Sequence, residues 1–301
     1  MAFKDKLSET LVPAAFRVGA AIAPAVAGRA AYALFCRPPA GPEDSGTERL
    51  IEKMAPLFAR AQSHRVAHPD GLVQAYHWRT SSQTGAETPR GRVLLVHGWT
   101  GRAMVMGLFV EPLLKAGFDV VAMDLPAHGL STGKRLNMPI GARAVQAVSV
   151  TLGPFTAAIS HSFGGPVVAL AAEGGPPLSH AMAIDKLVLI AAPNKLTAMT
   201  AAFAARNRLT PKVHAALNAT ISHAAERPIE TVETGILLRR VDKPALIIHD
   251  EGDEDVPFDR AETICDTAPN TTLMRTSGLG HRRIIISSGV VRAAVRFLSA
   301  Q

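Results

Sequence analysis

Residues 157–165 read AAISHSFGG, a small apolar run that breaks into Ser160-His161-Ser162-Phe163-Gly164-Gly165. Where a strand turns sharply into a helix, the central residue is held in a strained backbone conformation that presents its side chain at the tip. The residues two before and two after it must then be small. Gly164 meets the downstream requirement, while Ser160 stands where a glycine is usual. A serine hydroxyl is a weak nucleophile at neutral pH; it needs an imidazole to take its proton and a carboxylate to orient that imidazole. Small residues at a helix start also arise from packing alone, so Ser162 is a candidate nucleophile only if the chain supplies those partners.

It supplies both, further along. After ALIIH come Asp250, Glu251, Gly252, Asp253, Glu254 and Asp255, followed by Val256-Pro257. After TLMRT comes SGLGHRR, which puts His281 in a loop just ahead of the last helical segment. The chain order Ser162, then an acid such as Asp253, then His281 is the order of the nucleophile-elbow fold and differs from that of other serine-histidine-acid folds.

Such residues act together only if separate elements bring them to one rim. HRVAHPDGLVQAYHW (64–78) reads as two strands joined at Pro69-Asp70-Gly71, where proline presets the turn and glycine follows it. RVLLVHG (92–98) and FDVVAMD (118–124) are short runs rich in β-branched residues, with a helical stretch between them. Further runs follow at TAAIS (156–160), KLVLIAA (186–192), PALIIHD (244–250) and TTLMRT (271–276). Strands alternating with helices predict an α/β fold: a mainly parallel central sheet, helices on both faces, and ligands at the carboxyl ends of the strands. Between Pro193 and Pro244 lie about fifty residues, Ala-rich and interrupted at Pro211 and Pro228, longer than one crossover helix requires. A small helical cap over the strand ends is expected at about 194–243; the simpler reading is that these helices only thicken the outer layer.

The first 60 residues are expected to form a helical arm ahead of a catalytic domain spanning 61–301. Leu11–Cys36 is largely apolar, but Pro13, Arg17, Pro24 and Arg29 interrupt it, and Val18–Gly28 is too short to cross a bilayer. A helix docked on the protein leads, ahead of one lying on a membrane surface and of a cleaved signal, which Glu9 and Arg17 fit poorly.

Composition narrows the function classes. A chain of 301 residues, 48% hydrophobic, can bury one large core, and 19% charged residues argues against disorder. The net charge of +7 is scattered, with no basic block, so nucleic acid is not an expected partner. Cys36 and Cys265 are far apart in sequence and lack metal-ligand spacing, which suits a reducing cytoplasm. The acidic run 250–255 lacks the spacing of a calcium loop, and GLSTGK (129–134) has one residue too few for a phosphate loop.

The chain resembles the α/β-hydrolase family over about residues 60–299. The resemblance rests on LLVHGWTG (94–101), AMDLPAHGLSTG (122–133), ISHSFGG (159–165), LIIHDEGDEDVP (246–257) and GLGH (278–281). It implies that the acid stands three residues before the Val-Pro pair, which favours Asp253 over Asp250 and Asp255. It also implies an oxyanion hole from the backbone N–H groups of Trp99 and Phe163. Ser160 and Asp250 depart from the family pattern at positions where many members have glycine. The first bears on elbow strain, and the second could put an extra carboxylate beside the reacting groups.

Other polar residues carry plainer expectations. His97 reads as a structural hydrogen-bonding residue below the oxyanion loop, His128 as a loop tie, and His161 as the filler of the variable elbow position. Arg282 and Arg283 are solvated or salt-bridged, or else bind an acidic substrate. The expected function is a serine hydrolase that cleaves carboxylic esters of small to medium apolar substrates through an acyl-enzyme, with catalytic Ser162, Asp253 and His281 and no cofactor or metal. Peripheral membrane contact would run through residues 1–36. Thioester or amide cleavage, acyl transfer, cofactor-free peroxidation, or an inactive membrane-associated binding module are the alternatives.

Overall fold

Eight strands form one sheet in the computed structural model, which describes residues 23–39, 45–80 and 89–300. Expectations for residues before 23, including most of the apolar arm, and for the loop at 81–88 lie outside the described residues. The strands are β1 (Gln62–His68), β2 (Gly71–Trp78), β3 (Arg92–Val96), β4 (Asp119–Met123), β5 (Ala157–His161), β6 (Lys186–Ile190), β7 (Ala245–Asp250) and β8 (Thr271–Thr276). Their order is β1-β2-β4-β3-β5-β6-β7-β8. The β1–β2 hairpin and the β2–β4 pair are antiparallel, and every other pairing is parallel.

The helices are α1 (Pro24–Phe35), α2 (Ser45–Ala59), α3 (Val110–Lys115), α4 (Met138–Leu152), α5 (Gly164–Glu173), α6 (Leu196–Arg206), α7 (Pro211–Ala224), α8 (Thr234–Val241), α9 (Asp259–Thr267), α10 (Gly280–Arg283) and α11 (Ser288–Ser299). Parallel strands need crossovers, and helices covering both faces explain why β3 and β6 read as unbroken apolar runs rather than alternating ones. Val93, Leu94, Leu95 and Val96 are all fully buried, as are Leu187, Val188, Leu189 and Ile190. The last helix, α11, buries Val290, Val291, Ala294 and Leu298, which recur at helical spacing on one face.

Contacts divide the chain into two units, a smaller one of the described residues up to Arg37 with Lys195–Glu233, and a larger one that holds the sheet. Helix α2 belongs to the larger unit, because Phe58 packs edge-on to both Tyr76 and Trp78 and the Trp78 indole N–H donates to the Leu57 carbonyl at 3.1 Å. In the smaller unit α1 lies against α7, and a Cβ at Gly28 would sit 2.4 Å from that of Ala216, so the two backbones approach as only glycine allows. Phe35 meets Phe203 edge-on at 5.3 Å.

Of the residues between Pro193 and Pro244, the smaller unit takes the stretch Lys195–Glu233. Asn194 and Thr234, both in the larger unit, clasp its two ends: the Thr234 N–H donates to the Asn194 carbonyl, and the Gly235 N–H to the Asn194 side chain at 2.9 Å. Helix α8 then packs on α5 beside the sheet. Among the described residues no helix is long and apolar enough to cross a membrane.

Candidate active site

The carboxyl end of β5 runs directly into α5 through Ser162, whose φ of 50° is the left-handed conformation required at a sharp strand-to-helix turn. Its N–H donates to the Ile190 carbonyl on β6 at 2.8 Å, and its own carbonyl accepts from Gly165 N–H at 2.9 Å. Gly164 is obligatory, since a Cβ there would stand 2.6 Å from the His97 carbonyl oxygen and 2.8 Å from that of Val96. On the upstream side Ser160 is tolerated because its hydroxyl donates to the Val188 carbonyl at 3.2 Å within the sheet.

Three separate strand ends converge here. His281 Nε2 lies 2.9 Å from Ser162 Oγ, and His281 Nδ1 lies 2.8 Å from Asp253 Oδ2. An ionised carboxylate can only accept, so Nδ1 carries the proton and the Nε2 lone pair faces the serine hydroxyl. Burial alone would raise the Asp253 pKa. It is outweighed by hydrogen bonds from His249, His281 and the Val256 N–H, together with the nearby imidazole, which hold the carboxyl well below the usual range. Asp253 Oδ1 accepts from the Asp255 and Val256 N–H groups at 3.0 and 2.8 Å, so both oxygens are engaged.

Asp255, by contrast, contributes only its backbone to Asp253, and its own residue surface is exposed. Asp250 is fully buried and also turns away from the imidazole. Its Oδ2 accepts from the Thr276 hydroxyl at 2.8 Å and the Leu279 N–H at 3.0 Å, and its Oδ1 from the Gly252 N–H at 3.0 Å. Burial pushes its pKa up, but these donors and the Gly280 N–H prevail and lower it. The extra carboxylate therefore braces the loop that leads into α10, the short helix in which His281 lies instead of in the expected loop. His249, which the sequence pattern did not single out, is buried behind Asp253. Its Nε2–H donates to the Val256 carbonyl at 2.8 Å, and Nε2 lies 3.4 Å from Asp253 Oδ2.

The loop after β3 passes against the elbow, with Gly98 so close that a Cβ would lie 2.7 Å from that of Ser162. His97 Nδ1 donates to the Gly98 carbonyl at 2.7 Å, the Gly101 N–H donates to the same oxygen, and His97 Nε2 accepts from Leu125 N–H at 2.9 Å. The trans peptide fixes the Trp99 N–H on the side opposite that clamped carbonyl. Phe163 stands at the amino end of α5, where backbone N–H groups have no partner within the helix and the helix dipole is positive. Trp99 and Phe163 are neighbours, their rings edge-to-face at 5.4 Å. His128 accepts from Thr100 N–H at 3.2 Å and donates to the Pro126 carbonyl at 2.9 Å, tying the two loops as its position implied. Burial lowers the pKa of His97 and His128, so both act as neutral ties. Asp124, another residue that the sequence did not flag, accepts from Ala103 and Leu130 N–H groups at 2.7 and 2.9 Å.

His161 also does more than fill its position, since Nε2 lies 2.9 Å from the His281 carbonyl oxygen. Arg283 donates to the Leu279 and Gly278 carbonyls at 3.1 and 2.9 Å, which binds its guanidinium to its own loop. Arg282 is exposed. Among the described residues no group of three or more His, Cys, Asp or Glu could hold a metal ion. The arrangement can move a proton from a hydroxyl to an imidazole whose charge a carboxylate compensates, beside amides that can face a developing negative charge.

The sequence model described as the alpha/beta hydrolase family matches residues 93–288, well over half of the chain. Similar solved structures include an esterase of Exiguobacterium antarcticum, with a TM-score of 0.58 and 14% identity, covering 79% of this chain and 100% of that one. Est1E of Butyrivibrio proteoclasticus, solved with ferulic acid bound, has a TM-score of 0.56 at 18% identity and covers 78% of this chain and 96% of its own. A serine hydrolase of Cycloclasticus zankles has a TM-score of 0.56 at 16% identity, with coverages of 79% and 97%. No curated protein sequence matches this chain.

Proposed function

Because the chain belongs to the alpha/beta hydrolase family, we propose that it is a serine hydrolase cleaving carboxylic esters of small to medium apolar substrates through an acyl-enzyme. The observation that carries this reading is the unbroken row of hydrogen bonds from Ser162 Oγ through His281 to Asp253, at 2.9 and 2.8 Å. In the proposed mechanism His281 Nε2 takes the Ser162 proton as Oγ attacks the acyl carbon, and Asp253 stabilises the imidazolium. The Trp99 and Phe163 amides receive the negative charge on the former carbonyl oxygen. His281 then protonates the leaving alcohol, and in the second half it deprotonates water, which attacks the acyl-enzyme and releases the acid. The edge-to-face pair of Trp99 and Phe163 puts apolar surface next to the acyl carbon, which favours an apolar acyl group.

Turnover of chromogenic esters of graded acyl length by the full chain tests the reading. Ser162→Ala is expected to lower kcat by roughly 10⁴-fold or more while leaving the folded state intact. Equal turnover by the variant and the unaltered chain would exclude Ser162 as nucleophile. Parallel thioester and amide substrates separate ester cleavage from the other acyl-transfer chemistries of this architecture.

A further inference from the structure

The residue that precedes the elbow serine touches three parts of the site at once: the elbow, the loop after β3 and the segment that carries the base. His161 is buried at the end of β5 and is covalently joined to Ser162. Its Nδ1 lies where a Cβ on Gly98 would come within 3.2 Å, so its ring edge sets how near the loop carrying Trp99 can approach. Its Nε2 lies 2.9 Å from the carbonyl oxygen of His281, and the two rings are 5.0 Å apart. A carbonyl only accepts, so Nε2 bears the proton and donates. Helix α10 has four residues and cannot satisfy its own carbonyl groups, which leaves that of His281 in need of a donor from elsewhere.

We propose that His161 is a positioning residue for the base: its Nε2–H, held by the elbow, fixes the His281 main chain and thereby the distance between the His281 ring and Ser162 Oγ. The proposal rests on the serine hydrolase reading above. Two features suit this imidazole to the role. His161 is pushed down to about 3 by burial and by the neighbouring His281, so it stays neutral beside the imidazolium that forms in the reaction. A charged group there would oppose that imidazolium. The donor must also span from the elbow to the base loop. The glutamine amide nitrogen has that reach, whereas that of asparagine is one carbon short.

The experiment compares His161→Leu, His161→Gln and His161→Asn with the unaltered chain for kcat, KM, thermal midpoint and rate of labelling by a fluorophosphonate. Misplacing a reacting group by about an ångström can lower a rate roughly 100-fold. Leu and Asn are therefore expected to lower kcat and the labelling rate together by roughly 10- to 100-fold, with KM within about twofold, while Gln restores most of both. If Leu unfolds the protein, the difference between Gln and Asn still decides. Wild-type kcat and labelling in the Leu or Asn variant, or equal losses in Gln and Asn, would overturn the role of the Nε2 donor. Absence of labelling in the unaltered chain would instead overturn the serine hydrolase reading itself, so the two failures are distinct.

Discussion

Asp250 Oδ2 accepts the backbone N–H of Leu279 at 3.0 Å, which links the end of β7 to the loop that delivers His281. The same oxygen accepts from Thr276 on β8, so one carboxylate joins the strand that carries the acid to the strand that leads to the base. Replacing it by alanine strands the buried donors. Asp250→Ala is expected to lose about 2–4 kcal/mol of stability, given the ~1.5–3 kcal/mol typical of hydrogen bonds to charged groups, and to lower kcat through a loosened His281. Urea unfolding and ester turnover check both.

The two small positions flanking the elbow should differ in what their substitution does to activity. Gly164→Ala forces a Cβ against the carbonyl oxygens of His97 and Val96, which are backbone atoms and cannot rotate aside. A loss of about 1–3 kcal/mol and most of the activity is expected. Ser160→Gly removes the small hydroxymethyl group whose hydroxyl donates to the Val188 carbonyl, and introduces no clash. Stability should fall by about 1 kcal/mol with turnover retained. Paired unfolding and kinetic measurements distinguish the two.

Acid sensitivity should begin well above the carboxylate range. His97, His128 and His161 have lowered pKa values in the folded chain, mainly through burial. Each binds a proton on unfolding once the pH drops below about 6.5, the ordinary histidine value. Stability is therefore full above that pH and declines as pH falls towards the folded values, by up to about 1.4 kcal/mol per pH unit for each such histidine. Asp250 and Asp253, whose pKa values are also lowered, contribute fully above the ordinary carboxylate value and lose that contribution as pH falls from there towards their folded values. Thermal midpoints between pH 8 and 4 test the sign, and His161→Gln should reduce the slope.

In the smaller unit, Gly28→Val would drive a branched side chain into Ala216, where even a single carbon is 2.4 Å from its Cβ and 2.7 Å from its backbone. The α1–α7 contact is expected to open. Limited proteolysis should then cut near residues 24–35 faster than in the unaltered chain, and unchanged cleavage would refute the close packing.

Sequence alone carried the parts that repeat or sit at strand ends. The apolar runs of β3 and β6 are local patterns, left because both faces of a buried parallel strand demand apolar side chains, and the order Ser162, Asp253, His281 is read from residues at successive strand ends. The partner of α1 was not legible, because Gly28 and Ala216 are brought together only by folding. The same holds for α2, whose amphipathic pattern does not say that Phe58 meets Tyr76 and Trp78. Among the polar groups, the bond from His161 to a main-chain oxygen and the turning away of Asp250 left no signal. Both depend on carbonyl and amide directions that no side-chain pattern encodes.

Activation of Ser162 by His281 makes the serine reactive towards a fluorophosphonate, and covalent labelling reads that activation out. A single adduct in the intact mass is expected, located at Ser162 by peptide mapping, with its loss or strong slowing in His281→Ala. No adduct on the folded chain, or an adduct on Ser162 that forms equally fast without the imidazole, would contradict it.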